Sequence, residues 1–490
     1  MNRPTESPPS HPASPFPHRG VVEGFYGPPW SHADRLWLLE HMGRWGLNRY
    51  LHAPKDDPRP RAQWRDAYPA EAMGEFRQLV ERGGSAGVDA GFAVSPGLSI
   101  QYSSADDVAA LCAKLASFRA LGARFLGLCL DDVPTRLVHA ADRATFSTLG
   151  AAHAALARAV AESLGPEVLL WVVPTDYLGT EGTDYLAELA EGVPPEIEIG
   201  WTGRTVVSPT IRSDEARARA ATLGRRLLVW DNFPVADGPM RNMLHLGPLV
   251  GRDADLPDHV SGFLLNPMQH LRASAISLHT AAAYLRDPGG YDPEAAWRAA
   301  LEELGAGAPE AFALFAAAHR SSALDPEDRD RELEAAWRPL AEELSAGAPS
   351  PATCEAVSAL LEARAGAAES LRRDLEDTSL GDEIAPWLAA HETETRRMRA
   401  AVRAVSGMLQ APDRLARALA FFAFEGQLTR LPPPGPTSYG PRRVLYPQLV
   451  SMREDGAGFG ADPALVRDRN LADEVVEAVE AWGLRQVSVA

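Results

Sequence analysis

The chain is poor in cysteine, with three in 490 residues: Cys112, Cys129 and Cys354, far apart and never at CxxC spacing. An odd, scattered set excludes a disulfide framework or a zinc ribbon, and the thiols are expected to be buried and reduced. No apolar run approaches the ~18 residues needed to cross a bilayer. The opening stretch MNRPTESPPSHPASPFPHRG lacks the apolar segment of a secretory signal, so residues 1–19 are expected to be a disordered lead-in and the protein cytoplasmic. Positive charge is also in short supply. The 48 Lys and Arg against 66 Asp and Glu give a net charge of −18, which argues against a nucleic acid or an anionic membrane as the main partner.

Several catalytic motifs are missing as well. There is no HxH or HExxH, and of 13 histidines only His52 and His270 fall where strands are expected to end, so no metal centre is expected. No GxSxG supplies a serine nucleophile, and no Walker lysine supplies a phosphate site. FYGPPW follows the first expected strand where a dinucleotide fold would carry GxGxxG, and Pro28 and Pro29 would obstruct the helix such a motif opens. Lys55 could in principle form a Schiff base, but Asp56 and Asp57 follow it and are expected to hold it charged.

With 46% apolar residues the chain can bury a sizeable core. Eight β-rich runs lie between Val21 and Met268: 20–27, 48–57, 89–97, 124–132, 167–177, 196–203, 225–234 and 260–270. Stretches such as HADRLWLLEHMGRWG and SADDVAALCAKLASFRALG separate them, with helical periodicity and a closing Gly. Eight alternations predict an α/β fold, a (β/α)8 barrel over 20–290. From Tyr291 the composition turns to Ala, Glu, Arg and Leu in long amphipathic runs, predicting an α-helical bundle over 291–430, which packs or dimerises rather than catalyses. LPPPGPTSYGPRR then opens a small C-terminal segment, 431–490, ending in the helix LADEVVEAVEAWG.

In a parallel barrel the C-terminal strand ends surround one mouth, so polar residues there converge whatever their separation in sequence. The sharpest feature is Asp131-Asp132, directly after the apolar run FLGLCL. Two carboxylates in one pocket push their proton affinities apart, leaving one ionised and one able to act as an acid. An isolated pair of this kind is, however, more often a helix cap or part of a ligand set. Around it stand Trp, Tyr and Asn, residue types suited to sugar rings and hydroxyls. Trp201 and Trp230 fit either the barrel core or a ligand pocket equally well.

The runs VVEGFYGPPWS, APKDDP, CLDDVP, PTDY, GWTGRTVV, WDNFPVAD, LGPLVGRD and LLNPMQH occur in this order. Together they resemble the signature of the family 84 glycoside hydrolases, retaining β-N-acetylglucosaminidases that include O-GlcNAcase-like and hyaluronidase-type enzymes. The resemblance spans about residues 20–300 and is weaker in the C-terminal helices; the small α/β domain that often precedes the family's barrel is not seen.

The resemblance implies substrate-assisted cleavage of terminal β-linked GlcNAc through an oxazoline, an exception to catalysis by an enzyme nucleophile. On this basis Asp131 orients the acetamido group and Asp132 is the general acid and base. Gly24, Lys55, Asp237 and Asn266 match positions that bind sugar hydroxyls. Tyr177 and Asn232 match groups around the acetamido and reacting centre, and Tyr26, Thr202, Val206 and Trp230 match pocket-lining residues. Val173 stands where some relatives carry Cys, and Asp176 where relatives often carry Glu. The implied partner is a GlcNAc-bearing glycoconjugate, with no cofactor and with the helical region as a possible dimer contact. The alternatives are a GlcNAc-binding scaffold without turnover and an endo-acting, hyaluronidase-type enzyme.

Overall fold

The computed structural model describes residues 14–305, 307–432, 435–440 and 469–488, with four short strands between 441 and 468. Eight parallel strands close into a barrel in sequence order: β1 (His18–Glu23), β2 (Arg49–His52), β3 (Asp89–Val94), β4 (Phe125–Cys129), β5 (Leu169–Val173), β6 (Glu198–Trp201), β7 (Leu227–Asp231) and β8 (Val260–Leu265). Each lies inside one of the eight expected runs, except that β1 starts earlier. Residues 14–19, expected in the lead-in, belong to the fold: Phe16 is buried, Ser14 donates to the Leu285 carbonyl and β1 begins at His18. The rest of the expected lead-in, 1–13, lies outside the described residues.

Helices α1 (His32–Trp45), α2 (Ala70–Ala86), α3 (Ala105–Ala120), α4 (Ala140–Thr145), α5 (Leu149–Leu164), α6 (Asp184–Gly192), α7 (Ser213–Leu223) and α8 (Leu271–Arg286) connect the strands and follow β8. Ser31, Ser104, Thr148 and Thr183 begin α1, α3, α5 and α6, each hydroxyl accepting a first-turn N–H.

Strand side chains alternate between two cores. Val22, Leu51, Ala93, Cys129, Trp171, Leu228 and Leu264 fill the barrel interior. Val21, Tyr50, Phe92, Leu128, Val172, Val229 and Phe263 face the helices. This parity positions the site, because it continues into the residues just past each strand.

The helical region comprises α9 (Pro293–Leu304), α10 (Pro309–Ala317), α11 (Arg331–Ala346), α12 (Pro351–Asp374), α13 (Ser379–Gln410), α14 (Arg414–Leu428) and α15 (Leu471–Val487). The core outside the barrel continues through Trp297, Phe312 and Leu371 to Ile384, Trp387 and Leu388. A separate core gathers Leu340, Leu361, Val405, Phe421 and Val479 from α11 to α15. The 32-residue α13 serves both. Its Trp387 donates to the Asn242 carbonyl at 2.9 Å, while Glu383 accepts the Arg272 and Ala273 N–H groups at the start of α8. Between α14 and α15, β9 (Val444–Leu445) pairs with β12 (Val466–Arg467) and β10 (Val450–Met452) with β11 (Phe459–Ala461), all antiparallel. Among the described residues no helix is long and apolar enough to cross a membrane.

Candidate active site

A cavity of about 200 Å³ opens at the C-terminal mouth of the barrel. Inward parity delivers its floor and walls. Beyond Val22 in β1 come Gly24 and Tyr26; beyond Leu51 in β2 come Ala53 and Lys55; beyond Cys129 in β4 comes Asp131. Thr202 follows β6, Trp230 and Asn232 lie on β7 and just past it, and Asn266 follows Leu264 of β8. Asp132 would face away on parity alone. Its φ of 54° turns the backbone so that its carboxylate enters the same space.

The two carboxylates are held differently. Lys55 Nζ binds Asp131 Oδ2 directly and stands 3.6 Å from Asp132 Oδ2. Asp131 Oδ1 is buried and has no hydrogen-bond partner. Asp132 Oδ2 accepts the Tyr26 hydroxyl at 2.7 Å, and its Oδ1 lies 3.4 Å from the Tyr177 hydroxyl. Burial raises Asp131 above the usual carboxylate range, Lys55 opposes the rise and Asp132 adds to it. Burial would lower Lys55, but Asp131 and Asp132 outweigh it and raise the ammonium, which stays charged. That corrects the expected partners, not the outcome. Asp56 instead accepts the Gly27 N–H at 2.9 Å, and Asp57 accepts the Arg59 N–H at 2.9 Å.

The opposite wall is a chain of amides. Asn232 Oδ1 accepts from Trp230 Nε1 at 2.8 Å and from Asn266 Nδ2 at 2.9 Å, while Asn232 Nδ2 donates to the Val206 carbonyl at 2.7 Å. Asn266 Oδ1 accepts the Gly24 N–H at 3.2 Å. Asp237 Oδ2 accepts the Tyr26 N–H at 2.8 Å, tying the loop after β7 to the end of β1. Burial raises Asp237 as well, opposed by that hydrogen bond.

All twelve residues singled out from the sequence line this one cavity: Asp131 and Asp132, with Gly24, Tyr26, Lys55, Tyr177, Thr202, Val206, Trp230, Asn232, Asp237 and Asn266. The helix-cap reading of the aspartate pair does not hold, because the next helix starts at Ala140 behind His139. Trp201 is core, fully buried on the helix-facing side, whereas Trp230 lines the cavity. Asp231, another acid at a strand end, faces outward into a bidentate pair with Arg252. Asp176 is tied to Thr183 and Arg219. Arg61 was not anticipated. Its guanidinium lies 5.6 Å over the Tyr26 ring and 3.4 Å from its hydroxyl, and its place in an Arg/Pro-rich loop carries no signal in the sequence.

Among the described residues no group of three or more His, Cys, Asp or Glu could hold a metal ion. All three cysteines are free, with Cys129 and Cys354 buried and Cys112, against expectation, half-buried. Burial, with Asp131 beside it, pushes the Cys129 thiol up to about 12, so it is no nucleophile.

The family model of beta-N-acetylglucosaminidase, NAGidase, matches residues 19–317. The chain belongs to this family of glycoside hydrolases. The match runs from the first barrel strand to the end of α10, and all the cavity residues lie inside it. Protein O-GlcNAcase of Rattus norvegicus and of Mus musculus are each 34% identical over 274 residues, 54% of this chain. The aligned part spans only 30% of the length of those relatives. Among solved structures, a mutant Thermobaculum terrenum O-GlcNAc hydrolase superposes with a TM-score of 0.78 at 29% identity, covering 96% of this chain and 95% of that one. CpGH84B superposes at 0.74 with 27% identity, covering 85% and 74%. The likeness to the O-GlcNAc hydrolase therefore extends through the helical region of this family member as well as its barrel.

Proposed function

We propose that the chain is a retaining, exo-acting β-N-acetylglucosaminidase that removes terminal β-linked GlcNAc, of the O-GlcNAc type, by substrate-assisted catalysis. The observation that carries this reading is the asymmetry of the aspartate pair. Asp131 has one oxygen held by Lys55 and the other buried without a partner, a state that costs free energy until a donor arrives. The N–H of a 2-acetamido group is such a donor. Asp132, beside it, accepts the Tyr26 hydroxyl and lies 3.4 Å from the Tyr177 hydroxyl.

In the first step the acetamido oxygen attacks the anomeric carbon, the glycosidic bond breaks and Asp132 gives its proton to the departing oxygen. Asp131 holds the acetamido N–H and stabilises the positive charge that develops on the oxazoline ring. Its raised proton affinity suits a group that draws on that N–H as the ring closes. In the second step Asp132 takes a proton from water, the water oxygen bonds to the anomeric carbon and the ring opens to restore the acetamide. Configuration is retained because the centre is inverted twice. The amide chain of Asn232 and Asn266, with Asp237, supplies partners for sugar hydroxyls, and Trp230 supplies an aromatic wall.

Hydrolysis of aryl β-N-acetylglucosaminides tests the reading. Asp132→Asn should lose most on a poor leaving group and little on an activated one. Asp131→Asn should lose activity whatever the leaving group. A protein that leaves the activated aryl glycoside intact from mildly acidic to neutral pH is not this enzyme.

A further inference from the structure

A second cavity of about 610 Å³ opens beside the first, between the N-termini of α5 and α6. The two share Asp132 and Tyr177, while Lys55, Asp131, Trp230 and Asn232 line only the first. A general acid must reach the glycosidic oxygen, which joins the sugar to the departing oxygen's own substituents, so it borders the space that each of them fills. With the sugar ring in the first cavity, the space across Asp132 is where those substituents lie.

We infer that the cavity between α5 and α6 is the leaving-group subsite, and that it favours leaving groups bearing cationic and hydroxyl groups over anionic ones. The inference rests on the hydrolase reading above and adds to it the chemistry of the aglycone. The charged residues lining the cavity are Asp132, Asp176, Asp184 and Glu188, and no Lys, Arg or His joins them. Arg219, buried behind the wall, offsets Asp176 at 3.2 Å. Among the described residues Glu188 has only the Thr148 hydroxyl, at 2.5 Å, and exposed Asp184 makes no ion pair. An anionic group entering here would meet both without a compensating cation.

The wall is also preformed. Thr148 and Thr183 cap α5 and α6 while binding Glu188 and Asp176, and Arg219 Nη2 donates to the Asp176 and Leu178 carbonyls at 2.6 and 2.9 Å. Side chains fixed in this way lose little freedom when a ligand arrives. The same charge pattern disfavours a glucuronate-bearing polymer as substrate.

The experiment compares kcat/KM for O-GlcNAc peptides that differ only in carrying Lys or Glu on either side of the modified serine, with an activated aryl β-N-acetylglucosaminide as reference. The Lys peptide should be preferred about tenfold at low salt, with the preference shrinking as salt is added. Asp184→Lys should abolish or invert the preference, read as the ratio of kcat/KM for the Lys peptide to that for the Glu peptide within the variant. Equal turnover of both peptides, or a preference that Asp184→Lys and salt do not alter, overturns this inference while the hydrolase reading stands. Failure to cleave the aryl glycoside overturns the hydrolase reading, and this inference falls with it.

Discussion

Lys55 binds one oxygen of Asp131, and the other is buried without a partner. The ammonium is the cation that restrains a carboxylate which burial would otherwise drive further towards its neutral form. Replacing it with Met keeps the stem and removes the charge. Lys55→Met should lower kcat/KM by about a hundredfold or more, the usual scale for removing a preorganised charge. Because Asp131 is already raised and loses the group that opposes the rise, the acidic limb of the pH–rate profile should move to higher pH. An unmoved limb would show that Asp131 does not govern it.

Tyr26 and Tyr177 orient Asp132 through contacts of unequal quality, 2.7 and 3.4 Å. Tyr26→Phe should cost about ten- to a hundredfold in kcat, the worth of one hydrogen bond to a charged group. Tyr177→Phe should cost less. The losses should grow with leaving-group pKa, since the acid matters most there, and steady-state kinetics on a graded aryl series reads this directly.

Gly24 lies against the Trp230 indole, and a Cβ there would overlap the ring. Gly24→Ala should push Trp230 away from Asn232 Oδ1, breaking the start of the amide chain. The expected result is a rise in KM with a fall in kcat, accompanied by a loss of about 1–3 kcal/mol of stability from overpacking. Kinetics paired with thermal melting tests both parts. A variant with normal KM would mean that Trp230 does not shape the sugar pocket.

Glu383 is pushed up to about 7 by burial, against two backbone N–H groups that favour its charged form. Its folded value lies above its unfolded one, so its contribution to stability is complete below about pH 4.5 and is lost as pH rises through 7. Glu383→Gln removes the titration and keeps an acceptor for one of the two α8 N–H groups, a constant loss at every pH. The stability of the parent relative to the variant should therefore fall by roughly 1–3 kcal/mol between pH 5 and pH 8. Urea titrations at the two pH values decide it; a difference between parent and variant that does not change with pH would mean that Glu383 does not titrate across this range.

Much of this was legible from the sequence because the barrel makes it so. An apolar strand that ends in paired acids announces a mouth, and eight β-rich runs alternating with helical stretches announce closure. The order of the motifs carried the remaining cavity residues through the family resemblance rather than through spacing. Spacing alone did not separate Asp231 from Asn232, Trp201 from Trp230, or Lys55 from Asp56. The separating signal is the period of two, which counts inward positions from Leu228, Ala53 and their neighbours, but it needs the register of each strand. Asp132 escapes even that rule through its positive φ. Arg61 and Glu383 depend on contacts between segments far apart in the chain, to which local pattern is blind.

The long helix α13 contributes to both apolar cores. Heat that loosens the outer bundle therefore pulls at the same helix that carries Trp387 and holds Asn242, in the loop that follows Asp237. The two halves should melt as one calorimetric transition, and a barrel severed near residue 290 would keep Asp131 and Asp132 yet lose the splint that keeps its mouth in shape.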